Sequence, residues 1–238
     1  MNSLSDVDET RRDFLIYLLS IGALAAIPGC NASGVIHTLD TVEEMPPGKS
    51  IYQFMGDVRV NGQPVNLATM IKPGDTVETF DESFIIFVVN KDAFILRANS
   101  KMTIPIPTAT ASTILLSQGK LLSVLASRQV AIKTPSAFVS IRGTGIYLEC
   151  DPEGSYVCTC YGISDLATLD NPAINETVSA THHDARYILA DPAAANRIQM
   201  APIRDHEDEE LLLIETLVGR TTPFVVPKGA VRSRRRYY

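Results

Sequence analysis

The sequence predicts an all-β protein, built as a roll, a sandwich or a solenoid, with one helix near the C-terminus. Three observations carry that prediction. Through the middle of the chain Val, Ile, Thr and Phe alternate with polar residues at a period of two, not 3.6. Short apolar runs return about every ten residues, divided by turn sequences such as Asn61-Gly62, Pro73-Gly74-Asp75 and Asn90-Lys-Asp92. Helical periodicity is confined to one stretch after residue 205. A hydrophobic content of 45% supplies enough material for a packed core, and the net charge of −6 argues against general nucleic-acid binding.

Residues 1–30 read as an export address. Thr10-Arg-Arg-Asp-Phe-Leu15 fits the twin-arginine pattern through Arg11, Arg12, Phe14 and Leu15. The apolar run over 14–28 falls short of the roughly 20 residues a spanning helix needs and suits a signal-peptide hydrophobic region. It ends in Ile27-Pro-Gly-Cys30, a lipobox-like sequence that makes Cys30 the expected lipidation site. Two acyl chains on one residue give stable attachment to a membrane. The expected location is the periplasmic side of the cell envelope, as a membrane-anchored lipoprotein exported by the twin-arginine route. Residues 31–50, with Pro46-Pro-Gly48 and several acids, read as a linker.

The β region follows over 51–162. Val58 and Val60 alternate around Arg59 and lead into the tight turn Asn61-Gly62. Residues 84–89 form a continuous apolar run, the mark of a strand buried on both faces, and 93–96 resume after a break. Further strands are expected at 114–116, 121–125 and 130–132. Residues 137–142 alternate again, with Pro135 at the strand entry and Gly143 and Gly145 permitting a turn or bulge before 146–150.

Several of these fragments recur in a telling order. Gly56-Asp-Val58, Val60-Asn-Gly62-Gln-Pro-Val65, Ile71-Lys-Pro-Gly-Asp-Thr76, Ser100, Gly119 and the stretch from Thr134-Pro135 to Arg142-Gly-Thr-Gly145 together resemble the FecR domain of bacterial cell-envelope and iron-signalling proteins. The resemblance spans residues 50–150, and its motif positions are Gly62, Pro73, Gly74, Asp75, Gly119, Thr134, Pro135, Arg142, Gly143 and Thr144. It implies a compact, solenoid-like β-roll. It also implies a non-catalytic binding or sensing module, linked to iron signalling, whose partner is an envelope protein or a small ligand. Anti-sigma members of that family carry a helical cytoplasmic domain ahead of a membrane helix. Here only residues 1–13 precede the apolar run, so the resemblance is to a form without that domain.

The C-terminal third, from the end of the β region into an extension over 163–230 that packs on it, is where chemistry is expected. Residues 145–150 and 155–161 flank the turn sequence Asp151-Pro-Glu-Gly154, predicting a hairpin. Cys158 and Cys160, two apart on its second arm, share a face. With a loop of three or five residues, Cys150 faces Tyr156 and is a diagonal neighbour of Cys158. His182-His183-Asp184 and His206 lie downstream. Two outcomes stay open for the thiols. They form a disulfide, as an oxidising compartment favours, or Cys158, Cys160, His182 and His183 hold a metal ion or haem. Asp205 is expected to cap a helix with Leu211, Ile214, Leu217 and Val218 on one face and Gly219 as its stop. Residues 231–238 form an arginine-rich tail. No catalytic motif of the hydrolase, P-loop, Rossmann or zinc-protease type is present, so the protein is expected not to be an enzyme.

Overall fold

In the computed structural model, residues 42–106, 112–126 and 129–226 are described. The predicted export and lipidation residues Arg11, Arg12, Phe14, Leu15 and Cys30, and the tail 231–238, lie outside the described residues. Fourteen strands among the described residues join in one hydrogen-bonded sheet that forms a closed β-barrel with outer strands. One helix lies near the C-terminus, so the chain is all-β with a C-terminal helix, as predicted. Residues Glu44–Val225 make one compact unit.

Two long strands close the barrel, β8 (Ser112–Val124) and β10 (Ala137–Asp151). The first half of β8 lies antiparallel to β7 (Ser100–Thr103) and parallel to β9 (Gln129–Lys133), while its second half lies against β6 (Asp92–Leu96) and β10. A single strand can change neighbours in this way only if it bends. β8 bends at Gly119 (φ +86°), and β10 is bulged between Arg142 and Ile146, with Gly143 at φ +57°. The runs 114–116 and 121–125, expected as separate strands, are therefore two halves of one. Gly119 has a second reason to be glycine: a Cβ there would fall 2.5 Å from Ser100 Cα.

The remaining strands follow from the turns. β2 (Val58–Val60) and β3 (Gln63–Pro64) are joined by Asn61-Gly62, both at positive φ, as a tight hairpin turn requires. Asn61 also binds β4 (Thr76–Thr79) by accepting from Thr76 N at 2.9 Å, and its amide donates to Asp75 at 2.8 Å. β1 (Ile51–Met55) pairs with β5 (Phe84–Val89), which pairs with β6; every residue of β5 and β6 is buried, as the unbroken apolar runs predict. Thr134 caps the entry to β10: its Oγ1 accepts from Ala137 N at 2.8 Å and bonds Ser155 Oγ at 2.7 Å, wholly buried. Arg142, at the other end of that motif, is exposed and pairs with Asp165 at 3.2 Å.

β10 and β11 (Gly154–Thr168) form the hairpin predicted around residue 152, with one correction. Asp151 pairs directly with Gly154, so the loop has two residues and Cys150 faces Ser155, not Tyr156. Gly154 permits the tight approach, since a Cβ there would meet Ile188 O at 2.2 Å. β12 (Asn175–Ala180), β13 (Asp184–Leu189) and β14 (Ile198–Ala201) extend the sheet beyond β11.

Alternation decides what each face of this hairpin meets. Ile146, Leu148 and Val157 enter the barrel core. Tyr147, Tyr156, Cys158 and Cys160 are buried as well, though they point the other way by period. They are covered by the chain that follows β14 and by helix α1 (Asp208–Leu217). The helix begins later than predicted. Its N-cap is Glu207, in a reciprocal capping box with Glu210, while Asp205 adopts φ +60° and accepts from Lys120 Nζ at 2.7 Å. Leu211, Ile214 and Leu217 face the sheet, and Gly219 at φ +70° ends the helix as expected.

Candidate metal centre

Three stretches of chain converge on the covered face of β11. Cys158 and Cys160 come from β11 itself, two residues apart on the same side. His183 comes from the turn between β12 and β13, where its N–H donates to Cys160 O at 2.9 Å and its backbone takes φ +48°. His206 comes from the connection between β14 and α1. It is buried against Tyr147, with ring centroids 4.6 Å apart. One donor atom from each of Cys158, Cys160, His183 and His206 lies within 4.8 Å of every other. Cys158 Sγ is 3.6 Å from His183 Nδ1, and His183 Nδ1 is 3.0 Å from His206 Nε2. A tetrahedral zinc-class ion at its usual bond lengths holds its donor atoms about 3.3–3.8 Å apart.

The outward nitrogens of both imidazoles are already committed. Asp208 Oδ1 accepts from His183 Nε2 at 2.8 Å, and Arg204 O accepts from His206 Nδ1 at 2.7 Å. Each ring is therefore the tautomer whose lone pair points inward. Two inward lone pairs 3.0 Å apart repel unless a positive charge, a proton or a metal ion, sits with them. Anchoring of the far nitrogen by a carboxylate or carbonyl is the usual support for a metal-bound histidine.

The electrostatics split the two thiols, favouring the thiolate at Cys158 and the neutral thiol at Cys160 until a cation binds. The Cys160 thiol beside it, with His183 and His206, holds the Cys158 thiol down to about 3 against the opposing effect of burial. Burial and the neighbouring Cys158 thiolate push Cys160 well above the ordinary thiol value. Burial lowers His183, but hydrogen bonds to Cys158 and Asp208 outweigh it and leave it raised. A thiol with a lowered pKa and an imidazole with a raised one therefore face each other in this cluster. Cys150 shows the contrast: burial, then Asp151 and Glu149, push it up to about 12.

Of the four predicted ligands, the structure brings three together, Cys158, Cys160 and His183. His182 is not among them. Its side chain is half exposed and its Nε2 lies 3.0 Å from Asp208 Oδ1, in a second group with His183 and Asp208 that contains no thiol. His206 takes the fourth position. All three cysteines among the described residues are free thiols. The Cys158–His183–Asp208 order also matches a nucleophile relay. Yet Cys158 has no exposed surface, and Cys160 and His206 occupy the space beside it.

A wider ionic network holds the segment that carries His206. Arg204 reaches Glu149 at 3.0 Å and Asp151 at 3.1 Å, Lys120 reaches Asp205, and Arg97 reaches Glu210 at 2.9 Å. Burial raises Glu149, more than its cationic neighbours and its bond from Tyr147 Oη lower it.

No family model matches this chain, and no curated protein matches it. Two crystal structures of a putative anti-sigma factor from Parabacteroides distasonis, at 1.65 and 2.50 Å, are similar with a TM-score of 0.45 and 10% identity. Each match covers 53% of this chain and spans 58% of the length of that structure.

Proposed function

We propose that this protein is a non-catalytic binding module of the cell envelope that holds one zinc-class divalent ion through Cys158, Cys160, His183 and His206. The carrying observation is the pair of inward-facing imidazole nitrogens, each fixed by an outer partner, set against two sulfurs in the same small space. Two thiolates and two neutral imidazoles form a donor set suited to zinc. With every coordination position filled by protein, the ion has a structural role and no open position for substrate. The donors leave room for one ion and not for a porphyrin plane, so the reading is metal and not haem. The envelope location rests on the Arg11-Arg12 leader and on Cys30, whose lipid would tie the β body to a membrane.

The test is cobalt titration of chelator-treated protein under reducing conditions. The expected result is saturation at one equivalent, with the intense visible bands of tetrahedral cobalt and a thiolate charge-transfer band, both abolished by zinc. Weak bands of octahedral cobalt, or no saturation, would overturn the assignment. Fractionation of cells carrying Arg11→Lys and Arg12→Lys together tests the location. The protein is expected to remain in the cytosol without lipid, and unchanged export would contradict the leader reading.

A further inference from the structure

Resting on that metal reading, we propose that the ion works as a latch, fixing the segment 202–210 and the first turn of α1 onto the outer face of the β10–β11 hairpin. The donors are divided to that end. Cys158, Cys160 and His183 all belong to the sheet and its turns, with Cys158 paired to Ala185 and Tyr147 across the ladder. His206 alone belongs to the segment that covers them. Coordination therefore ties a ligand from the covering segment to a sheet-side triad, and it is the one link between the two that a change of metal supply can remove.

The other links are hydrogen bonds and ion pairs that do not depend on the ion: Asp208 Oδ1 accepts from His183 Nε2 at 2.8 Å, and Arg97 reaches Glu210 and Asp205 O at 2.9 Å. Arg204 N donates to Tyr156 Oη at 3.3 Å and Tyr156 Oη donates to Pro202 O at 3.0 Å. Lys120 and Arg204, which pair with Asp205, Glu149 and Asp151, keep 37% and 38% of their side chains exposed, so solvent screens those pairs. The apolar anchors of α1, Ile214 and Leu217, sit one to two turns beyond the site. Two residues at the latch also hold a left-handed backbone, His183 at φ +48° and Asp205 at φ +60°. Non-glycine residues adopt such a conformation uncommonly, His and Asp more readily than most, and surrounding contacts hold them in it. Loss of the ion removes a contact at His183 and at His206, next to Asp205, and lets the segment lift, uncovering Tyr147, Tyr156 and Glu149.

An ion that binds only the closed state lowers the open population by a factor of one plus its concentration over Kd, about 100-fold at 100 times Kd. The experiment is hydrogen exchange on the full chain, zinc-loaded and chelated, read at the bonded amides of His183, Arg204 and Leu211 and at the β10–β11 ladder. The expected result is about 100-fold faster exchange of the three latch amides in chelated protein, with the ladder unchanged. Trypsin cleavage after Arg204 should accelerate in parallel. If one equivalent of zinc binds but the latch amides and the Arg204 cleavage do not respond, the latch is wrong and the metal site stands. If zinc does not bind at all, the metal reading falls and takes the latch with it. Uniform loss of protection across the ladder would mean global unfolding and would also overturn the latch.

Discussion

The two histidines that chain position alone does not distinguish, His182 and His206, give the sharpest prediction. His206→Ala removes one of four donors. Structural zinc sites contribute about 10–16 kcal/mol in total, so an even share is about 2.5–4 kcal/mol per ligand, or roughly two to three decades in affinity. His182→Ala removes a half-exposed partner of Asp208 and leaves the bond from His183 to Asp208 in place. An exposed pair of that kind is worth about 0.5 kcal/mol, roughly a factor of two. The assay is competition for zinc with a chromophoric chelator on reduced, folded protein. Because His206 also stacks on Tyr147, circular dichroism of each metal-free variant must first establish that it is folded. Equal losses for the two variants, or a larger loss for His182→Ala, would refute the assignment of His206 as the fourth donor.

Four further outcomes follow from the same coordinates. Asp208→Asn should weaken zinc about 10–100-fold at unchanged stoichiometry, because the carboxylate orients His183, and Asp208→Glu should recover part of that loss. Gly119→Ala should cost about 2–4 kcal/mol in denaturant unfolding, since it combines a strained positive φ with backbone overlap at Ser100. Arg142→Ala should change stability by less than about 0.5 kcal/mol, because its pair with Asp165 is exposed on both sides. Finally, the raised Glu149 carboxyl binds its proton more tightly in the folded state. Stability should therefore fall as pH rises from the ordinary value of 4.5 through the raised one, and Glu149→Gln should abolish that slope. A stability curve with the opposite slope in the wild type would contradict the burial of Glu149.

The parts of this molecule legible in the sequence are those governed by local periodicity. Alternation placed the strands, the unbroken runs of β5 and β6 marked double burial, and Asn61-Gly62 marked its hairpin. Spacing of two put Cys158 and Cys160 on one face, which is half of the proposed metal centre. The failures share one cause, the dependence of a residue on distant chain. Gly119 and Gly143 bend strands that continue on either side, and only the barrel's closure demands continuity. The loop at 152–153 is tighter than expected because β13 crowds Gly154. His206 lies on an irregular connection with no period of its own, and its place is set by Arg204, Asp205 and Tyr147. His182 and His183 are adjacent, and the left-handed turn at His183 decides which of them looks inward. The available signal for His206 was its position just before the acid-rich helix start, where Asp208 supports His183.

The most direct test of the metal centre is a joint count of metal and reactive thiols on protein purified without chelator from its native compartment. One zinc-class ion per chain is expected, with Cys158 and Cys160 resistant to alkylation until the ion is removed. Metal-free protein in which those two thiols are joined to each other, or alkylate freely from the start, would contradict it.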